Sequence, residues 1–148
     1  MFNHVWSVIC QNSSVDEKSN TVSLFGCIEN IGVDIVKDKN KNITDKINIP
    51  IQFDVVSYWT IEDSTKKNNL FFKVELFKPN GESLFYKEET IFTEIGWSRI
   101  RNIAKFSGLE LEINDSGRYN FKIFQKENRN DDFVVVAVLP VDININIK

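Results

Sequence analysis

The sequence predicts an all-β domain, an antiparallel β-sandwich of about eight strands. Three observations carry the prediction. Apolar residues recur with a spacing of two, as at Ile47, Ile49, Ile51, Phe53 and Val55, which places them on one face of a strand. Turn chemistry separates such runs, most plainly at Pro79-Asn80-Gly81-Glu82. There proline presets the first turn dihedral and Asn-Gly tolerates positive φ. The 12 phenylalanines, together with many β-branched residues, favour pleated, half-buried surfaces.

Taken in order, His4–Gln11 reads as a first strand and Thr21–Val33 as a second, joined across a polar turn. Gly26 inside the second run signals a bulge or a close backbone approach. Lys37–Lys46 is a charged, amide-rich loop and the expected site of local mobility. Ile47–Thr60 is a strand interrupted by Pro50. A proline lacks the ladder N–H, so this part is expected at an edge, or the strand starts after it. Leu70–Lys78 and Ser83–Thr93 flank the Pro79 turn and form a hairpin. Trp97–Leu111 fits a strand through Phe106 and a bend at Gly108, because neither a cap nor a long helical repeat supports more than a turn or two of helix. Arg118–Gln125 is a strand, and Lys126–Asp132 turns into Phe133–Lys148. The closing Val141-Asp142-Ile143-Asn144-Ile145-Asn146-Ile147-Lys148 alternates apolar and polar, as a strand buried on one face does. There is no internal repeat and no linker, so one domain over residues 1–148 is expected.

The most specific local signal is Asp115-Ser116-Gly117-Arg118-Tyr119-Asn120-Phe121. Its spacing is similar to the tyrosine corner of immunoglobulin-like sandwiches, in which the hydroxyl bonds back to the upstream chain. The alternative is an ordinary turn before a strand with a buried tyrosine. Phe121 stands where antibody domains place a cysteine. On a wider view HVWSVICQ, SLFGCIENI, VVSYW, FKVELFKPNGE, GRYNFKIF and VAVLPVDI resemble an uncharacterised bacterial domain-of-unknown-function family of small immunoglobulin-like β-sandwich proteins. The resemblance spans nearly the whole chain. It implies the fold and a bacterial or mobile-element source, and it transfers no activity and no site residues.

A chain of 148 residues can bury a core without metals or disulfide staples. Its formal charge of −3 gives no concentrated basic face for nucleic acid and no attraction to an anionic membrane. No apolar run approaches the roughly 20 residues that span a bilayer. Residues 1–10 lack a basic start and a long apolar stretch, so no signal peptide is read and a cytoplasmic location is expected. The abundance of Asn, Lys and Ile reads as codon usage rather than function. Cys10 and Cys27 flank the first turn and could face each other across a hairpin. A reducing compartment makes two free, buried thiols the expectation.

Enzymatic chemistry has little to stand on. His4 is the single histidine, expected at a strand end near the surface, and no serine or cysteine sits in a recognisable nucleophile context. No Gly-rich phosphate loop and no close pair of metal ligands occurs, so no cofactor and no metal are expected. Glu88 and Glu89 are strand neighbours that point to opposite faces. The turn Asn128–Asp132 offers oxygens but lacks the order of a calcium loop.

One surface candidate remains. A strand through Trp97, Arg99 and Arg101 sets these three side chains on one face, turns Ile100 to the core and continues outward to Lys105, with Ile103 between. A Trp beside two Arg can stack on a ring, bind an anion or anchor a protein. The competing expectation pairs the arginines with Glu88, Glu94 or Glu110. The functional expectation is a non-enzymatic protein-interaction or structural module. Its partner is an unidentified protein or a second copy joined through an edge at Pro50 or the final strand. The alternative is a small-ligand or carbohydrate module anchored by Tyr58, Trp59 and Trp97.

Overall fold

Nine strands occur among the residues that the computed structural model describes, 1–36 and 46–148. They are β1 (Phe2–Val15), β2 (Val22–Cys27), β3 (Asn30–Ile35), β4 (Lys46–Ile61), β5 (Asn69–Phe77), β6 (Ser83–Phe92), β7 (Arg99–Glu112), β8 (Gly117–Lys126) and β9 (Val134–Ile147). The expected mobile loop Lys37–Lys46 lies outside the described residues except for Lys46. There is no helix among the described residues, and so none long and apolar enough to cross a membrane.

The strands form two sheets, one ordered β2-β1-β4-β7 and the other β3-β9-β8-β5-β6. Period-two patterning sets which face of each strand is buried. In β5, Leu70, Phe72, Val74 and Leu76 are buried, while Phe71, Lys73, Glu75 and Phe77 point to the other side. The two inner faces meet through aromatic rings. Trp59 of β4 lies 5.4 Å from Phe72 of β5, and Phe53 of β4 lies 5.6 Å from Phe121 of β8. Phe106 of β7 joins this group, 5.1 Å from Phe53 and 5.4 Å from Phe85 of β6. Each such ring removes about 1.5–3 kcal/mol worth of apolar surface from water.

Several expectations need correction. The second predicted strand is two strands, which raises the count to nine. Gly26 has φ +62°, and a Cβ there would meet Gln11 Oε1 at 2.7 Å. The close approach is real, and the strand stops one residue later. The chain then leaves the first sheet, and β3 pairs with β9 in parallel, Asn30 opposite Asp142. The pairing is therefore mixed rather than wholly antiparallel. The final strand is not an open edge along its length, because β3 covers Asp142–Ile147 while β8 pairs along the other side. Pro50 does not mark the start of a strand, since β4 begins at Lys46, but its stretch is an edge as expected: among the described residues, 46–53 pair with β7 alone. The missing N–H is tolerated because pairing with β1 begins only at Asp54 and the β7 register shifts between Ile49 and Gln52. Gly108, at φ +81°, faces that shift, so the chain absorbs the bend as a bulge and β7 continues to Glu112.

The tyrosine at the start of β8 does what its motif implies. Tyr119 is fully buried, and its hydroxyl donates to the backbone oxygen of Asp115 at 2.6 Å. Burial, with the nearby Asp115 and Glu112 carboxylates, pushes the phenol up to about 12.

Candidate functional site

The site starts from the connection between β6 and β7. Gly96, at φ +94°, closes a turn over Ile95 and Gly96, and its N–H donates to the Ser64 oxygen at 2.7 Å. Trp97 N–H donates back to Glu94 at 3.2 Å. The turn therefore presents its apolar side chains outward. Phe92 is 69% exposed, Ile95 64% and Trp97 46%. Scattered exposed apolar residues are ordinary, but here three large ones fall within six positions.

Trp97 precedes β7, and the strand supplies the rest. Ile100 and Ala104 are buried, so the alternating Arg99, Arg101 and Lys105 point away from the core. Trp97, Arg99 and Arg101 line one open cleft of about 760 Å³, together with Tyr58, Asn20 and Asn102. Tyr58 lies opposite Arg101 in register and packs against Trp6 at 5.7 Å. Asn20 comes from the tip of the β1–β2 hairpin. Asp16 holds that tip by accepting from the Lys18 and Ser19 N–H groups, and the Ser19 bonds keep its carboxyl below the usual carboxylate range. Arg101 Nη2 donates to the Asn20 carbonyl at 3.2 Å, which ties the hairpin tip to β7.

In the β4–β7 register Thr60 and Tyr58 lie opposite Arg99 and Arg101, while Asp54 lies opposite Lys105. The expected pairing of the arginines with Glu88, Glu94 or Glu110 does not form. Glu94 is 2.9 Å from Lys67, and Glu110 is 3.3 Å from Lys46. Glu88 faces Lys73 across the β5–β6 pair. Arg99, Arg101 and Lys105 make no ion pair among the described residues. Among the described residues, two buried polar atoms of the cleft have no hydrogen-bond partner, Arg101 Nε and Asn102 Oδ1. A buried donor or acceptor without a partner costs about 1–3 kcal/mol, and a docked group can supply what is missing.

No family model matches this chain. No curated protein matches it either. Among solved structures it is similar to the N-terminal domain of PorA, over 95% of this chain and 97% of that one, at 10% identity and a TM-score of 0.28. A score that low carries no argument about fold or function.

Other sequence candidates lie elsewhere. Trp59 is not a ligand anchor. It is fully buried, and its Nε1 donates to Gln125 Oε1 at 2.9 Å. Of the three proposed aromatic anchors, Tyr58 and Trp97 share the cleft. His4 lies near the start of β1, as expected, and is half-buried, with its ring centroid 5.7 Å from that of Trp59. Its Nε2 bonds Ser7 Oγ at 2.7 Å, which bonds Ser57 Oγ at 2.7 Å. Burial lowers the imidazole from its ordinary value. In the Asn128 turn, the Asp131 carboxylate accepts from the Asn128 side-chain and backbone N–H groups at 2.8 and 3.2 Å. Those oxygens close the turn. Among the described residues, no three His, Cys, Asp or Glu side chains are grouped as a metal site would need. Sequence reading missed Asn20 and Asn102, which the fold brings to the cleft from distant positions. It also passed over Phe92, the last residue of β6, and Ile95 in the turn that follows.

Proposed function

We propose that this chain is a non-enzymatic protein-interaction module that receives an acidic, extended segment of a different protein at the Trp97 cleft. The observation that carries the reading is the pair Arg99 and Arg101, which make no ion pair among the described residues, beside an exposed tryptophan. Trp and Arg are the residues that dominate binding energy at protein interfaces. The chain has a net charge of −3, so a local cationic row selects an oppositely charged partner and speeds encounter with it. The row also lies on β7, the outermost strand of its sheet, where an added strand finds unpaired backbone groups.

The finer architecture belongs to the same proposal: an immunoglobulin-like sandwich, allied to the small bacterial family and working in the cytoplasm. The Tyr119 hydroxyl bond to Asp115 and the facing rings of Phe53 and Phe121 support the immunoglobulin-like reading. A carbohydrate or other small ligand is the rival occupant, since Tyr58 and Trp97 line the same cleft.

The test is a titration with extended peptides that alternate Asp or Glu with apolar residues, followed by backbone amide shifts. The expected outcome is saturable shifts confined to residues 95–105. In the Arg99→Glu/Arg101→Glu variant the shifts disappear, and Trp97→Ala weakens binding about 30-fold, the effect of losing about 2 kcal/mol at a hot spot. Equal binding of basic peptides, or shifts dispersed over both sheets, would contradict the reading. Saturation by a neutral oligosaccharide alone would favour the rival.

A further inference from the structure

We propose that Cys10 and Cys27 form a reversible cross-strand disulfide, closed by exchange with a small-molecule disulfide of the oxidised-glutathione class. The two residues are direct partners in the antiparallel β1–β2 ladder. Ile28 N–H donates to the Ile9 oxygen at 2.8 Å, a bond between the residues that flank the pair. Cys10 and Cys27 therefore occupy a non-hydrogen-bonded site. At such sites the Cα atoms approach to about 4.5 Å and the side chains lie close together. That separation falls at the short end of the window for disulfides, about 4.4–6.8 Å. Both cysteines are free thiols in this structure.

Their environments divide the roles. Sequence reading expected both thiols to be buried, but Cys10 is buried and Cys27 exposed. Cys27 is the last residue of β2, where the chain leaves the sheet and its side chain reaches solvent. Its thiolate attacks one sulfur of the small disulfide. A protein–glutathione bond forms, and one glutathione thiolate leaves. The Cys10 thiolate then attacks the Cys27 sulfur, and the second glutathione thiolate leaves. The protein loses two electrons and the reagent gains them, while the two thiol protons pass to the two glutathione thiolates. Burial, then Asp54 and Cys27, pushes the Cys10 thiol up, which makes it the second thiol to react rather than the point of entry.

The bond would pin the crossing from β2 to β3. It would also stiffen the hairpin whose tip, Asn20, contacts Arg101 in the cleft. The inference stands on the β1–β2 register and is independent of the partner proposed above.

The experiment is equilibration of the whole protein in glutathione buffers of increasing oxidation, followed by acid quench, alkylation and intact-mass analysis. Wild type is expected to convert to a species roughly 2 Da lighter, the loss of two hydrogens, with one disulfide-linked peptide joining the two cysteines. Cys10→Ser is expected to stop at a glutathione adduct on Cys27, and Cys10→Ala gives the same result should serine disturb the buried position. Reducing buffer should restore both wild-type thiols. Persistence of the Cys27–glutathione adduct in wild type, or no reaction under buffers that oxidise a control dithiol, would overturn the proposal.

Discussion

Phe121→Ala is expected to lower the unfolding free energy by about 3–5 kcal/mol, the range for deleting a buried phenyl ring. Phe121 touches both sheets. It approaches Phe53 at 5.6 Å and Phe106 at 6.2 Å on one side, and Phe85 of its own sheet at 6.4 Å. Alanine leaves these rings facing a cavity that the twisted sheets cannot close without moving the Phe53–Phe106 stack. Against a typical stability of about 5–15 kcal/mol, the loss is a large fraction. Urea unfolding should show a lower midpoint at an unchanged slope. Phe92→Ala serves as the control. Phe92 is 69% exposed and should change stability by no more than about 0.5 kcal/mol. Equal effects of the two substitutions would mean that the rings do not form the contact between the sheets.

Trp59→Ala is expected to cost a similar amount, about 3–5 kcal/mol. The indole fills the core beside Phe72 and His4, and its Nε1 bonds Gln125 Oε1. Gln125 Nε2 in turn donates to the Phe2 oxygen at 3.0 Å. Removing the indole opens a cavity and releases one end of a hydrogen-bonded link between the two sheets. Thermal or urea unfolding measures the loss. A ligand anchor would behave differently, because its removal would weaken binding and leave stability nearly unchanged. An unaltered urea midpoint for Trp59→Ala would return this residue to the surface.

Trp59 shows where sequence reading stops. The period-two run through β4 places Val55, Ser57 and Trp59 on one face, yet alternation alone does not say which face meets the second sheet. Elements with a one-sided pattern or a local turn were legible. The β5–β6 hairpin around Pro79, the β8 start at Tyr119 and the alternation of β9 follow from the chemistry of neighbouring residues. The break between β2 and β3 did not, because it depends on Gln11 crowding Gly26 from another strand. The parallel β3–β9 pair was equally hidden, since it joins residues more than 100 positions apart. The candidate site was half legible. Arg99 and Arg101 share a face of β7 by spacing alone, whereas Trp97 precedes the strand and only lines the same cleft. That neither arginine pairs with Glu94 or Glu110 could not be read from the sequence, because Lys67 holds Glu94 and Lys46 holds Glu110. Asn20 joins the site only because the β1–β2 hairpin reaches Arg101.

The turn before β7 and its cationic row are proposed above to receive an acidic protein segment. The most direct measurement places a photo-cross-linking amino acid at Ile95, which is 64% exposed on that turn, in the protein expressed in its native cell. A control carries the same group at Asn144, exposed on β9 of the other sheet. One protein adduct is expected from position 95 and none from position 144. The adduct maps to an acidic segment of a different protein and is lost with Arg99→Glu. The same adducts from both positions, an adduct to a second copy of this chain, or an adduct that survives Arg99→Glu unchanged would contradict the proposal.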